Sequence, residues 1–368
     1  MANIGIIDAD LIGRKKHRFP NLACMKIAGW HRAQGDDVRL ETVWSMVLCY
    51  DKVYVSKAFT DTPVDEFYIN QPNVTKGGTG FFFDKAPPLP DEIEHHMPYY
   101  DLYGDFIKSV AHQDKDLRKY DEYTDYSIGF LTRGCFRKCP FCVNQKYDRV
   151  FAASPLKEFY DPSRPKICLL DDNFLGYSKW RDLLKDLKDT GRKFKFKQGL
   201  DARLLTDEKC EMLFTSRYDE NFTFAFDNVA DYDLIHEKLQ LIRRHTANTN
   251  ICFYVFTGFD RNGVHDEAFW HQDLNDLFRR LELLIRYHTK PYVMRHMNSY
   301  DTPYAIHYAR ITDWANQPKI MQKMSFSEYI DILMERSMSD EQKEKTKAMM
   351  ESLEKIVGKH YLEMKYGE

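Results

Sequence analysis

The chain has 368 residues, of which 43% are apolar and 30% charged, and its formal net charge is −3 at pH 7. These values exclude a disulfide-stapled miniprotein, a disordered chain and a fibrous repeat, and they predict a globular protein of two or three domains. The weak negative charge disfavours nucleic acid as a partner but leaves room for a local basic patch. The first ten residues carry acids and no apolar run could span a bilayer, so we expect a cytoplasmic protein without a membrane partner.

The front of the chain has the alternation of strands and helices that is typical of a doubly wound α/β layer. Apolar runs predict three strands, at residues 4–7, 38–40 and 53–55. Helical spacing between the first two runs predicts a helix from Pro20 to about Gly35, and a Gly-rich turn lies at residues 77–80. We therefore predict a small Rossmann-like domain over residues 1–85. The next segment, residues 86–121, is rich in proline and is predicted to be a linker.

Strands and helices alternate regularly from residue 122 onward. Apolar runs predict six strands, at residues 126–131, 166–170, 194–197, 222–226, 251–256 and 292–294. Five helical stretches separate them, the first of which is polar and follows a cysteine-rich loop. Right-handed crossovers would curl such a sheet into a partial (β/α)6 barrel over residues 122–315, with its chemistry at the carboxyl ends of the strands. A helical tail over residues 316–368 completes this α/β fold, and Ser339 with Gln342 forms a capping box within it.

The chain has eight cysteines, and they fall into two groups. Five lie far apart in apolar surroundings and are predicted to be reduced and buried: Cys24, Cys49, Cys168, Cys210 and Cys252. The other three, Cys135, Cys139 and Cys142, share one loop directly after the first barrel strand. Three close thiolates can hold three corners of a cuboidal iron–sulfur cluster and leave one iron open. Zinc is the alternative, but it prefers four ligands and no second pair of cysteines follows.

This loop resembles the CxxxCxxC motif of the radical S-adenosylmethionine (radical SAM) superfamily, in which an aromatic residue, here Phe141, precedes the last cysteine. The resemblance covers about residues 122–310. It implies that Cys135, Cys139 and Cys142 hold a [4Fe–4S] cluster whose open iron chelates SAM. It further implies reductive cleavage of SAM to a 5'-deoxyadenosyl radical, with an electron from flavodoxin or ferredoxin, and hydrogen abstraction from an unidentified substrate.

The same resemblance implies SAM contacts at the end of the second barrel strand. Asp171, Asp172 and Asn173 lie there, where the family binds the amino group of SAM. A carboxylate or an amide oxygen is suited to accept hydrogen bonds from an ammonium. An Asp-Asp-Asn turn is also an ordinary helix N-cap, so both interpretations stay open.

Two further strand ends match positions where the family contacts the methionine carboxylate and the ribose of SAM. Gln198, Asp201 and Arg203 follow the third strand, and Asp227 and Asn228 follow the fourth. A guanidinium suits a carboxylate, and an acid or amide suits a diol. The alternatives are a salt bridge between Asp201 and Arg203 and a helix cap at Asp227 or Asn228.

The ends of the last two strands supply the remaining candidates. Gly258 follows the fifth strand and would let the adenine of SAM approach the backbone closely. Arg295, His296 and Tyr300 follow the sixth strand, with His307 nearby, and any of them could orient a substrate or donate a proton. Structural histidines are commoner than catalytic ones.

A Rossmann-like domain in front of such a barrel resembles the cobalamin-binding subgroup of the superfamily. Segment 77–79 resembles the late Gly-Gly turn of those domains, and segment 56–58 lies about where a serine motif would precede it. Asp10, however, stands where the cobalt-ligating histidine would. Because a carboxylate is a poor substitute for imidazole, we expect a degenerate domain that has lost cobalamin. The alternatives are a cobalamin-dependent methyltransferase and a non-catalytic protein that binds metal, or binds nucleic acid through a basic face at residues 192–197.

Overall fold

The computed structural model describes residues 1–112, 114 and 116–367. Gln113 and Lys115 of the predicted linker, and Glu368 of the predicted tail, lie outside the described residues. The chain forms two compact units, the first ending at Lys197 and the second beginning at Gln198. The four segments predicted from the sequence, and the boundaries between them, stay predictions. Across the described residues, every helix is too short or too polar to span a bilayer.

A parallel four-stranded sheet opens the first unit. Its strands are β1 (Asn3–Asp8), β2 (Asp37–Leu40), β3 (Lys52–Ser56) and β4 (Val74–Gly77). The helices between and after them are α1 (Ala9–Gly13), α2 (Leu22–Ala33), α3 (Glu66–Ile69) and α4 (Thr79–Phe82). The strand order β2-β1-β3-β4 is that of a flavodoxin-like doubly wound sheet. The predicted α/β layer is therefore confirmed.

Apolar packing explains why this sheet forms. Residues 4–8 of β1 are all buried, as expected for a central parallel strand covered on both faces. Helix α2 begins at its N-cap Asn21, whose side chain accepts from the Cys24 N–H, and buries most of its length. Tyr103, Tyr120 and Tyr123, which border or lie within the predicted linker, join the same apolar core. That segment is thus packed in its described part.

The rest of the first unit carries the cysteine loop. Its helices are α5 (Asp91–Glu94), α6 (Gly104–Ala111), α7 (Asp121–Thr124) and α8 (Trp180–Asp189). Its strands are β5 (Tyr126–Gly129), β6 (Thr132–Arg133), β7 (Phe151–Ala152), β8 (Lys166–Leu169) and β9 (Lys193–Phe196). Strands β5, β8 and β9 form a parallel sheet in that order, whereas β6 and β7 pair antiparallel.

The prediction of a polar helix between the cysteine loop and β8 is wrong. The segment forms two 3-10 turns, Val143–Lys146 and Leu156–Glu158, on either side of β7. Pro155, Pro162 and Pro165 explain the difference, because each lacks an N–H and interrupts a helix at its interior.

A second parallel sheet forms the second unit. Its strands, in order, are β10 (Phe222–Ala225), β11 (Ile251–Thr257) and β12 (Lys290–Arg295). Its helices are α9 (Asp207–Phe214), α10 (Tyr232–His245), α11 (Glu267–Arg286), α12 (Ala305–Ala315), α13 (Pro318–Met321), α14 (Phe326–Ser337), α15 (Asp340–Val357) and α16 (Lys359–Glu363). All six strands predicted from residue 122 onward are present, three in each unit.

The burial of the scattered cysteines departs from prediction at two positions. Cys24, Cys168 and Cys210 are buried as expected, Cys252 is half-buried, and Cys49 is exposed. Cys49 ends a 3-10 turn that buries Val47, and this turn directs the thiol outward.

The predicted capping box of the tail is confirmed, because the Ser339 hydroxyl accepts from the Gln342 N–H and the Gln342 side chain accepts from the Ser339 N–H. The helix that follows, α15, buries Met349, Leu353 and Val357 and packs against α11. The methionine of this stripe is therefore a core residue.

We expect Leu353→Ala to lower the free energy of unfolding by about 2–5 kcal/mol, because the side chain is fully buried and its loss leaves a cavity. The matched control is Lys345→Ala on the exposed face of the same helix, which should change stability by less than about 0.5 kcal/mol. Urea unfolding followed by circular dichroism measures both. Equal effects of the two substitutions would contradict this packing.

Candidate functional site

The cysteine loop is closed at its base by backbone pairing. Residues 134–150 run out from β6 and return to β7, and the Ala153 N–H donates to the Leu131 carbonyl at 2.9 Å. Gly134 begins the loop with φ +85°, and a Cβ there would lie 2.4 Å from the Arg149 carbonyl oxygen. Only glycine allows the two sides of the loop to approach so closely.

Asp171 lies beneath the entrance to this loop, directly beyond β8. It is completely buried, and its carboxylate accepts from the Leu131 N–H at 3.1 Å, the Thr132 N–H at 2.7 Å and the Thr132 hydroxyl at 2.6 Å. Burial raises the pKa of this carboxyl from 3.8 to about 7, against the opposing effect of its hydrogen bonds. Both oxygens of Asp171 are engaged by the loop entrance.

The next two residues contact the loop itself. Asp172 accepts from the Gly134 N–H and from the Asn144 side-chain amide, each at 2.7 Å, and burial raises its pKa. The Asn173 amide donates to the Cys135 sulfur at 3.3 Å. The Oδ1 atom of Asn173 is buried and has no hydrogen-bond partner among the described residues. The residues that the sequence analysis singled out at this strand end therefore contact the cysteine loop, and their contact with SAM stays a prediction.

The three loop cysteines are half-buried. The Arg137 N–H donates to the Cys135 sulfur at 3.3 Å, and the Asn144 N–H donates to the Cys142 sulfur at 3.4 Å. A turn brings the Cys142 N–H to 3.0 Å from the Cys139 carbonyl oxygen. In the described part of the chain, no three His, Cys, Asp or Glu side chains are arranged to hold a single metal ion.

Polar contacts fix the outer part of the loop. The Lys138 ammonium donates to the carbonyl oxygens of Gln145 and Tyr147, each at 2.7 Å. The Gln145 amide in turn donates to the Pro140 carbonyl at 2.7 Å. Phe141, the predicted aromatic neighbour of the last cysteine, is half-buried in the loop.

Sequence reasoning missed three residues of this site: Thr132, Gly134 and Asn144. Each makes a hydrogen bond to Asp171 or Asp172, about 28 to 39 residues away along the chain. The one local signal was Gly134, a glycine between a strand and the first cysteine.

In the second unit, Arg203 forms the ion pair that was the structural alternative to SAM binding. Its Nε and Nη2 atoms donate to the two carboxylate oxygens of Asp201 at 2.7 and 3.2 Å, and its Nη1 donates to Asp231 at 2.9 Å. Gln198 is exposed. Three of the five N–H donors of the guanidinium are therefore engaged.

The residues after the fourth and fifth strands also have local partners. Asp227 accepts from the Phe256 N–H at 3.1 Å, and burial raises its pKa. Asn228 caps a short 3-10 turn by accepting from the Ala230 N–H at 3.0 Å, which is the predicted cap. Gly258 has φ +80°, and a Cβ there would lie 2.9 Å from the Ser299 Cβ.

The structure assigns the residues near the end of β12 mainly to local packing. Arg295 donates to the Ser299 carbonyl at 2.7 Å and lies over the ring of Tyr300, which is 64% exposed. His296 caps the following turn, and burial lowers its pKa. His307 is buried in α12, and this burial lowers its pKa to about 4.

Asp10 and the two segments compared with cobalamin-binding domains make hydrogen bonds within the front part of the chain. Asp10, for which the resemblance to cobalamin-binding domains predicted a cobalt-ligating position, accepts from the Ala58 N–H at 2.6 Å and also from the Thr62 hydroxyl. Segments 56–58 and 77–79 lie next to each other, since the Gly80 N–H donates to the Lys57 carbonyl at 2.8 Å. A Cβ at Gly78 would lie 2.2 Å from that same carbonyl oxygen.

No protein-family model and no curated protein matches the chain. Two solved structures of the cobalamin-dependent S-adenosylmethionine radical enzyme OxsB are similar to it. The structure with aqua-cobalamin and SAM bound has a TM-score of 0.49 and 13% sequence identity over 84% of this chain. The structure with aqua-cobalamin bound has a TM-score of 0.35 and 14% sequence identity over 81% of this chain.

This chain spans about half the length of the OxsB structures, covering 55% and 49% of them.

The buried Asp171 should make stability depend on pH. Because its pKa is higher in the folded than in the unfolded chain, the folded chain binds more protons between pH 4 and 7, and its stability falls as pH rises. This group alone contributes roughly 4 kcal/mol to that fall. We expect Asp171→Asn to flatten the dependence of the urea midpoint on pH, whereas exposed Asp331→Asn should not. Parallel curves for Asp171→Asn and the wild type would contradict this assignment.

Proposed function

We propose that this chain is a radical SAM enzyme with a partial (β/α)6 barrel, in which Cys135, Cys139 and Cys142 hold a [4Fe–4S] cluster. When bound, such a cluster supplies reductive cleavage of SAM to a 5'-deoxyadenosyl radical, which takes hydrogen from a substrate not yet identified. The observation that carries the proposal is the set of three cysteines in one loop, which is held in place by the residues that follow the next strand of the sheet.

The donor set of the loop fits this cluster. In a cuboidal cluster each cysteine ligates a different iron, so the three sulfurs need not converge on one point as they must for zinc. N–H groups already face the Cys135 and Cys142 sulfurs, and hydrogen bonds of this kind stabilise negatively charged cluster sulfurs and tune their potential. Three protein ligands leave the fourth iron for SAM.

The unpartnered Asn173 oxygen supports a contact between this residue and the amino group of SAM. A buried acceptor without a donor costs about 1–3 kcal/mol, and an ammonium would supply the missing donor. The other side of the same amide contacts the Cys135 sulfur, so this oxygen lies next to the cluster loop. We assign the contact to Asn173, while Asp171 and Asp172 position the loop.

The contacts from the second unit remain part of the proposal. Arg203 keeps two N–H donors beyond its ion pairs, which are enough to bind a carboxylate of SAM. Gln198, Asp227 and Asn228 are the polar candidates for the remaining groups of SAM, and the positive φ of Gly258 suits a close approach of adenine.

Replacing Cys135, Cys139 and Cys142 together with Ala should abolish iron binding and SAM cleavage, because no ligand set for the cluster would remain. The matched control is Cys49→Ala, which removes an exposed thiol of the same unit. Iron content after anaerobic reconstitution and 5'-deoxyadenosine formation measure the effect. Zinc without iron in the wild type, or 5'-deoxyadenosine from the triple variant, would overturn the proposal.

Electron paramagnetic resonance of the reduced protein provides a second measurement. Adding SAM should change the spectrum of the wild type, because SAM binds the open iron. In Asn173→Ala the cluster signal should persist, but about tenfold more SAM should be needed, as expected when a charged hydrogen bond is lost. A spectrum that is indifferent to SAM would identify a structural or electron-transfer cluster instead.

A cobalamin-dependent methyltransferase is the second candidate, favoured by the flavodoxin-like strand order of the front sheet. Against it, the Asp10 carboxylate is buried and hydrogen-bonded to residues 58–62. We therefore propose that the front sheet has lost cobalamin.

Incubation with hydroxocobalamin followed by gel filtration tests this choice, and we expect no absorbance of cobalamin in the protein peak. Stoichiometric retention would favour the methyltransferase. The non-catalytic alternative finds less support, because Lys195 of its predicted basic face is buried against Glu122 at 3.1 Å.

A further inference from the structure

A basic cleft of about 550 Å³ lies in the first unit, and the function proposed above does not use it. Residues 14–19 form one wall, and Phe59, Asp61 and Lys197 complete the lining. The cations of residues 14–18 come from the loop between α1 and α2, whose sequence is Arg-Lys-Lys-His-Arg. In a chain with net charge −3, this concentration of positive charge marks the cleft as an anion-binding surface.

Three cations of the cleft have no carboxylate partner within the described part of the chain. Lys15 and Lys16 are exposed and form no ion pair there. The Arg18 guanidinium donates only to the carbonyl oxygens of Lys15 at 2.9 Å and His17 at 2.6 Å. A bound anion would offset the mutual repulsion of these charges.

The other two cations of the cleft, Arg14 and Lys197, each have a carboxylate partner. Arg14 pairs with Asp61 at 2.6 Å, and Lys197 donates to Glu122 at 2.8 Å. Carboxylates therefore neutralise Arg14 and Lys197, whereas Lys15 and Lys16 remain available to a ligand.

An exposed aromatic ring stands beside these charges. Phe59 is 44% exposed, the Arg14 guanidinium lies 4.4 Å from its ring centroid, and the His17 ring meets it edge-on at 5.9 Å. Cations beside an exposed aromatic ring suit a nucleotide, because the phosphates pair with the cations and the base stacks on the ring.

The cleft also lies where open α/β sheets bind ligands. Residues 14–18 follow β1 and Phe59 follows β3, the two neighbouring strands at which the chain changes direction across the sheet. Lys197 follows β9, and the cysteine loop leaves the same edge of that parallel sheet beyond β5. Two strand spacings, about 10 Å, separate β9 from β5.

We propose that the basic cleft binds the phosphate groups of a nucleotide, free or within an oligonucleotide, and that this nucleotide belongs to the substrate. The inference rests on the proposed function only for the role of substrate, since binding itself requires no cluster.

The test compares a lysine pair in the cleft with a matched pair elsewhere. Lys15→Ala/Lys16→Ala removes the two unpaired lysines, and Lys319→Ala/Lys323→Ala removes the same charge from an exposed site in the second unit. The probes are ATP, by calorimetry, and a fluorescein-labelled ten-nucleotide oligo(dT) or oligo(U), by fluorescence anisotropy.

We expect the cleft variant to bind the preferred probe about tenfold more weakly at 0.1 M salt, while the control variant binds as the wild type does. For an oligonucleotide, the slope of log affinity against log salt should flatten by about 1.4, corresponding to two phosphate contacts. Phe59→Ala should weaken binding without changing that slope, because stacking releases no counterions.

Each outcome decides the inference. Binding of ATP alone supports a free nucleotide, and binding of an oligonucleotide alone supports a strand. Absence of binding by every probe, or equal losses in the two lysine variants, would overturn it. The triple cysteine variant should bind the probe as the wild type does, so a failure of cluster chemistry and a failure of nucleotide binding are distinguishable.

Discussion

The cysteine loop depends on two adjacent carboxylates, buried Asp171 and half-buried Asp172, which accept hydrogen bonds from its backbone. Burying a carboxylate is unfavourable unless it accepts strong hydrogen bonds, and Asp171 and Asp172 accept theirs from the first residues of the loop. The loop N–H groups in turn would be costly to bury without these acceptors. The end of β8 and the start of the loop therefore stabilise each other, and the register of the sheet determines where the thiols lie.

The sequence predicted the periodic parts of the molecule well. Strand β11 alternates buried and half-buried side chains, and β1 is a continuous apolar run, so both were recognisable from spacing alone. The flavodoxin-like strand order could not be predicted in this way, because pairing between β1 and β3 depends on residues about 50 positions apart.

The site was harder to predict for a related reason. The three cysteines were evident from their density, but the roles of Asp171 and Asp172 depend on donors 28 to 40 residues earlier in the chain. Asp10 shows the same limitation, since its partner Ala58 lies 48 residues away. The missing helix before β8 had a local signal in its prolines, whereas the exposure of Cys49 follows from one irregular turn.

The pairing of β6 with β7 fixes the two ends of the cysteine loop but does not involve its middle. The ends are joined by backbone hydrogen bonds, and the entropic cost of closing a flexible loop rises by only about 0.6 kcal/mol for each doubling of its length. Insertions in the middle of the loop should therefore be tolerated far better than changes at Gly134. Substitutions in the middle of the loop can therefore change the surroundings of the three thiols while the pairing of β6 with β7 stays intact.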